Sequence, residues 1–195
     1  MNRSETINIL AKLASPITPF ESRDEQIDNW QKTLNVNSLD TLIDIFLNPP
    51  TEKEVGGNGY EIYENFDQEI FEAVMIGELI EAMVIVGKID VKHFFEKIEI
   101  ILGLRHLRSS VIYMIGLIQN KEGVALLEPL IESEHLLDDE IVNLACAFAG
   151  IGGLKSLEIL EKMKVKYSDR SSEVLREIEI GITREKNKKD SCKIE

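Results

Sequence analysis

The sequence has few of the residues that stabilise small secreted proteins, since it contains only two cysteines in 195 residues. Cys146 lies in an apolar helical pattern, where we expect a small core residue, and Cys192 lies in a polar stretch. Neither has a cysteine or histidine at metal-ligand spacing, which argues against a disulfide framework or a zinc ribbon. No segment approaches the ~20 apolar residues of a membrane span, and the stretch that begins Met1-Asn-Arg-Ser-Glu-Thr has no apolar run long enough to predict a secretory signal. These absences predict a reduced, cytoplasmic protein without a membrane partner.

Basic residues are scarce relative to acidic ones. Lysine and arginine total 22 against 35 aspartates and glutamates, so the formal net charge is −13. A protein that neutralises nucleic-acid phosphates needs a basic surface, and this balance therefore predicts no nucleic-acid partner. The excess acid is compatible with solubility alone, with repulsion of anionic membranes, or with attraction to a basic protein.

Signatures of catalysis are missing as well. The histidines, His93, His106 and His135, share no helical face and form no HExxH motif. The Gly56–Gly59 stretch lacks the preceding strand and the following lysine of a phosphate-binding loop. There is no Gly-x-Ser-x-Gly elbow. We therefore expect no catalytic residue, no cofactor and no metal site.

Helical periodicity dominates what is present, and no strand of useful length is predicted. Residues 1–50 are interpreted as an N-terminal helical cap, whose third helix starts at Ser38. The remaining segments are an irregular acidic and aromatic loop, the helical repeats and a flexible polar tail, at 51–66, 67–184 and 185–195.

Three segments share one register, about 33 residues apart. Ile85, Ile118 and Ile151 fall at the same position in successive units. We expect Gly116 and Ala145 at crowded helix contacts, and a turn over 150–153.

The units resemble HEAT-like repeats of the short bacterial type. Leu107-Arg108 and Ile115-Gly116 match the Val-Arg and Leu-Gly positions of that pattern, and Phe148–Gly152 matches the next unit. Ile141 departs from it, because an arginine is expected there. The resemblance covers roughly residues 71–184. It implies an all-α fold, a right-handed α-solenoid of antiparallel helix pairs with about 9–10 helices, of a kind that serves as a binding scaffold.

An acidic row is predicted on the second helices of the repeats, which line the concave face of a helical solenoid. Its members are Glu96, Glu99, Glu128, Glu132, Glu158 and Glu161, to which the third helix adds Asp40 and Asp44. The row is either a partner surface or an ordinary solvated helix face, because glutamate favours helices and lysines lie nearby in the sequence.

The loop before the repeats is the second candidate surface. Tyr60, Tyr63 and Phe66 alternate with acids that include Glu64 and Asp67. Long loops often carry function, and aromatic anchors are typical of binding hot spots. Alternatively, the same aromatic residues cover the first repeat.

Small size, acidic charge, helical repeats and the missing catalytic motifs together resemble the immunity proteins of bacterial polymorphic or contact-dependent toxin systems. That resemblance implies stoichiometric binding of a basic, nuclease-type toxin domain. The alternative is an adaptor or scaffold subunit of a larger assembly, and a metal-dependent or lyase-like enzyme is a further one. The sequence leaves the oligomeric state open.

Overall fold

All regular structure in the described part of the chain is helical, which confirms the all-α prediction. The computed structural model describes residues 2–14, 20–48, 50–51, 54, 76–133 and 135–191. Within these ranges the helices are α1 (Arg3–Ala14), α2 (Phe20–Gln31), α3 (Val36–Leu47), α4 (Ile76–Ile85), α5 (Val91–Leu102), α6 (Arg105–Ile118), α7 (Glu122–Ile131), α8 (Asp138–Ile151), α9 (Leu154–Lys166) and α10 (Ser172–Ser191).

The chain divides into two compact units, residues 1–97 and 98–195, and the division falls inside α5. In the first unit α2 and α3 each pack against α1 and α4. Its fully buried side chains include Ile7, Leu10, Leu39, Leu42, Phe46 and Phe94. This unit therefore joins the predicted N-terminal cap to the first part of the predicted repeats.

The start of α3 differs from the sequence prediction because Asn35, rather than Ser38, caps the helix. The Asn35 side chain accepts a hydrogen bond from the Asn37 N–H at 3.0 Å. The Ser38 hydroxyl accepts the Asn35 N–H at 3.1 Å. Ser38 is thus the second half of a capping box and lies in the first turn of the helix.

In the second unit α8 is the central helix and packs against α6, α7, α9 and α10. Its contact with α6 is so close that two glycine positions have no room for a side chain. A Cβ atom at Gly116 would lie 2.6 Å from the Cα of Ala147, and one at Gly150 would lie 2.9 Å from the Gly116 carbonyl oxygen. Gly116 therefore occupies a crowded helix contact, as expected, and Ala145 is fully buried. Gly150 belongs to α8, and the predicted turn is made by Gly152 and Gly153 alone.

The two helices run in the same direction, offset by one predicted repeat. Near the start of both, the Asn143 amide donates a hydrogen bond to the Ser109 hydroxyl, 34 positions earlier, at 2.7 Å. Gly116 then lies beside Ala147 nearer their ends. α10 packs beside α8 at a similar offset in the sequence, because a Cβ at Gly181 would lie 3.4 Å from the Ala149 Cβ.

A buried ion pair holds the beginning of α8. Glu140 is 1% exposed. One of its carboxylate oxygens accepts the Leu137 N–H at 2.8 Å, and the other lies 3.5 Å from the Arg108 guanidinium. Arg108 also donates to the Leu102 carbonyl at the end of α5, at 2.8 Å. Arg108, the arginine of the repeat-like motif, therefore links the end of α5 to the beginning of α8.

The α8–α9 turn is closed by residues of α10. The Glu185 carboxylate accepts the Gly153 N–H at 2.8 Å, where α9 begins. It also pairs with the Lys188 ammonium at 2.6 Å, which reaches the Ala149 carbonyl at 3.4 Å. The helix thus continues through residues that the sequence pattern had assigned to a polar tail starting at 185.

Candidate partner-binding surfaces

The predicted acidic row on α7 and α9 is largely neutralised by lysines. Glu128 pairs with Lys155 at 2.7 Å, and Glu161 pairs with Lys186 at 2.9 Å. Glu132 contacts both the Lys162 ammonium and, at 3.6 Å, the Lys166 ammonium. With their flanking residues Lys121 and Glu132, α7 and α9 carry five acids and five lysines. Their surface is therefore charge-balanced.

The Glu132–Lys162 pair is the strongest electrostatic feature of this surface. The hydrogen bond from Lys162, together with the charges of Lys162 and Lys166, lowers the pKa of the Glu132 carboxyl group below its usual value. The same contact raises the pKa of Lys162. Both side chains are more than half exposed, so water screens the attraction and limits its effect on stability.

The other acids of the row differ in whether they form an ion pair. In the first unit Glu96 lies 4.0 Å from Lys92, and Asp40 pairs with Lys97 at 2.7 Å. Glu99 and Glu158 are exposed and form no ion pair with any described residue. These two carboxylates remain available to a partner.

Arg3 organises the acids at the end of α3. Its guanidinium donates to Asp44 at 2.9 Å, to the Asn48 carbonyl at 2.6 Å and to Glu54 at 3.1 Å. The Thr51 N–H also donates to Glu54, and this bond, followed by the one from Arg3, lowers the pKa of the Glu54 carboxyl group. Asp44 and Glu54 therefore link α1 to the end of α3 and to the first residues of the predicted loop, and they are not free acids.

The predicted loop residues Tyr60, Tyr63, Glu64, Phe66 and Asp67 lie outside the described residues. Their sequence surroundings are strongly acidic, since residues 51–75 contain seven acids and one lysine. The first unit as a whole has 18 acids and 8 bases, a net charge of −10, whereas the second has 17 acids and 14 bases, a net charge of −3. The negative charge is thus concentrated in the first unit.

An open groove of about 580 Å³ lies between the first turns of α7 and α9. It is lined by Lys121, Val124, Ala125, Glu128, Gly152, Gly153, Leu154 and Lys155. The Lys155–Glu128 pair crosses it, and Leu154 is 63% exposed. No motif predicted this groove, because its residues come from two helices that the tertiary fold brings together.

A second surface missed by the sequence reasoning is uncharged. α6 from Ser109 onward and α8 from Ile141 onward contain no charged residue on any face. Tyr113 on α6 is 46% exposed, and Cys146 on α8 is exposed, so the prediction of a buried Cys146 is wrong. The apolar pattern of α8 runs almost all round the helix and did not reveal which side faces solvent. Partial burial, followed by the charge of Glu177, raises the pKa of the Cys146 thiol.

Metal and membrane signatures are missing from the ranges the structure describes. No three histidine, cysteine or carboxylate side chains there are grouped closely enough to hold a metal ion. None of the described helices is both long and apolar enough to cross a bilayer. Comparisons of the chain with models of protein families, with characterised proteins and with solved structures give no match.

Proposed function

We propose that the chain is a non-catalytic protein-binding module built from HEAT-like repeats in a right-handed α-solenoid, and that its partner is a basic protein domain. The separation of charge between the two units carries this proposal. The first unit has a net charge of −10, while lysines offset the acids of α7 and α9 in the second. An acid excess confined to one part of a chain attracts a basic partner to that part and speeds its association.

Within this proposal the partner is a basic nuclease-type toxin, and the chain is its cytoplasmic immunity protein. Carboxylates in the acidic unit would occupy the positively charged cleft in which such an enzyme binds phosphates. Tyr60, Tyr63 and Phe66 would supply apolar anchors among these charges, since aromatic side chains dominate the binding energy of many interfaces. The acids of the helical row, led by Glu99 and Glu158, would extend the contact.

The test is co-expression with the protein encoded directly upstream of this chain's gene. Expression of that protein alone should arrest bacterial growth, and co-expression of the chain should restore it. Calorimetry should give one chain per partner, and the association rate should fall by about tenfold or more between low and physiological salt. Normal growth without the chain, or association that ignores salt, would contradict the proposal.

A further inference from the structure

The exposed face that carries Tyr113 and Cys146 is formed by three helices of the second unit that lie side by side. α8 packs between α6 and α10. Tyr113, Cys146 and Ile180 occupy equivalent positions on them, 33 and 34 residues apart, and all three are exposed. They form one row that crosses the middle of the face, which we call the central row.

Residues beside the central row are also uncharged on α6 and α8. One turn before the row lie Ser110 and Asn143, and one turn after it lie Leu117 and Gly150. In a chain with 29% charged residues, a face without charge on two adjacent helices is unusual. Such a face neither attracts a basic protein nor repels a second negatively charged chain.

Beside the row, charges appear only on the third helix, where Arg176 and Glu177 precede Ile180 and Arg184 follows it. Glu177 lies three residues before Ile180, and Arg184 lies four residues after it. Both lie close enough to Cys146 for their charges to act on its thiol. Arg176 binds a single oxygen of Glu177 through two hydrogen bonds, at 3.2 and 2.9 Å. The second oxygen of Glu177 is thus available to another donor.

We propose that this face binds a second copy of the chain, with the two-fold axis along the central row. Rotation about that axis places each helix antiparallel to its own copy. Tyr113, Cys146 and Ile180 then each meet the same residue of the second copy. Glu177 of one chain meets Arg184 of the other, twice. The charge pattern is therefore complementary to itself, as a symmetric dimer interface requires.

The size of the face predicts a weak dimer. Fourteen residues of α6 span about 21 Å. Three helices at ordinary packing distances are about 25 Å wide, so the footprint is on the order of 500 Å² per copy. Stable complexes bury about 800 Å² per partner, and we therefore expect a dissociation constant of about 10–100 μM.

Cross-linking tests which face is used. In the full chain with Cys192→Ser, a short bismaleimide should link two copies through Cys146. The Cys146→Ser, Cys192→Ser variant should give no product. Adding Ala125→Cys to that variant places an exposed thiol on α7, and this matched control should give only the trace expected from random collision. Equal linking through position 125, or none through Cys146, would overturn the proposal.

Charge exchange tests the symmetry axis. Glu177→Arg or Arg184→Glu alone places like charges opposite each other and should raise the dissociation constant by about tenfold or more in sedimentation equilibrium. The double variant restores opposite charges and should return it to within about threefold of the original. Thermal melting of each variant establishes that the fold is retained. A monomer at every concentration, or a double variant as weak as the single ones, would refute this arrangement.

Discussion

Because glycine has no side chain, Gly116 allows α6 and α8 to make a very close contact in the second unit. At Gly116 the space that a Cβ would occupy is filled by the backbone of Ala147 in α8, and at Gly150 by the carbonyl oxygen of Gly116. Because the obstruction is backbone, no change of rotamer relieves it. The repeat register gave this position from sequence alone, since Gly116 and the Ala147–Gly150 stretch fall about one unit apart.

Replacing Gly116 by valine should therefore destabilise the protein by about 1–3 kcal/mol, because α6 and α8 must move apart to admit the side chain. The expected change is a lower midpoint in urea denaturation. His106→Val is the matched control, since His106 is exposed in the first turn of the same helix and loses little on substitution. Equal midpoints for the two variants would show that the helices do not cross at this glycine.

The surface carboxylates illustrate a limit of reading residues from sequence. The acidic row was predicted by position, but the lysines that neutralise it are distant in the chain. Lys155 follows Glu128 by 27 positions, and Lys162 follows Glu132 by 30. Such pairing depends on which helices become neighbours, so local patterns such as i,i+4 spacing do not reveal it.

A titration tests the Glu132 pair. Folding lowers the pKa of this carboxyl group. The pair therefore stabilises the fold at pH values above the ordinary pKa of glutamate. That contribution is lost as the pH falls through the folded-state pKa. In Lys162→Met the carbon-13 NMR titration midpoint of Glu132 should rise toward its ordinary value. In Lys121→Met, which removes an exposed lysine from the opposite end of α7, the midpoint should not move. Identical midpoints in both variants would exclude the pair.

At the scale of whole elements, α10 differs most from its prediction. The pattern from Glu185 onward is polar and offers no apolar stripe, which is typical of a fraying tail. Glu185 is nevertheless buried, and Lys188 reaches a carbonyl 39 positions earlier. Tertiary hydrogen bonds to the α8–α9 turn hold this part of the helix, and such bonds leave no periodic signal in the sequence. By contrast, the glycine-rich stretch at 150–153 predicted the turn after α8 to within two residues, since that helix ends at Ile151.

Substitution of Glu185 by alanine should cost about 1–3 kcal/mol, since it leaves the Gly153 N–H without its acceptor and removes the carboxylate that pairs with Lys188. Glu179→Ala is the control on the same helix. Glu179 pairs with Lys164 at 2.9 Å, but both side chains are at least half exposed, and such pairs contribute about 0–1 kcal/mol. Similar unfolding free energies for the two variants would mean that Glu185 does not hold the turn.

At the scale of the whole molecule, the net charge hides an uneven distribution. Composition alone gives a net charge of −13 and does not show where along the chain the acids lie. Division of the chain into its compact units assigns −10 to residues 1–97, a fact that the sequence contains but that becomes visible only with the unit boundary. Ion pairs then neutralise Glu128, Glu132 and Glu161 on α7 and α9, whereas residues 51–75 carry seven acids and one lysine.

Two sets of substitutions with the same charge change should therefore affect a basic partner differently. The first is Glu61→Gln, Glu64→Gln and Asp67→Asn, which removes acids from a segment with seven acids and one lysine and should slow association about tenfold. The second is Glu128→Gln, Glu132→Gln and Glu161→Gln, whose lysines already offset the charge, and it should slow association less than threefold. Stopped-flow mixing at low salt measures both rates. A larger effect of the second set would place the contact on α7 and α9.

The hydrogen bond between Glu185 and Gly153 also constrains the order of events during translation. The carboxylate is made 32 residues after the N–H group that it accepts, so the α8–α9 turn cannot be completed while the ribosome is still adding that segment. α6 and α8 have their glycine contact available earlier. We expect nascent chains arrested before residue 185 to be cleaved readily by protease at Gly152–Gly153, and released full-length chains to resist cleavage there.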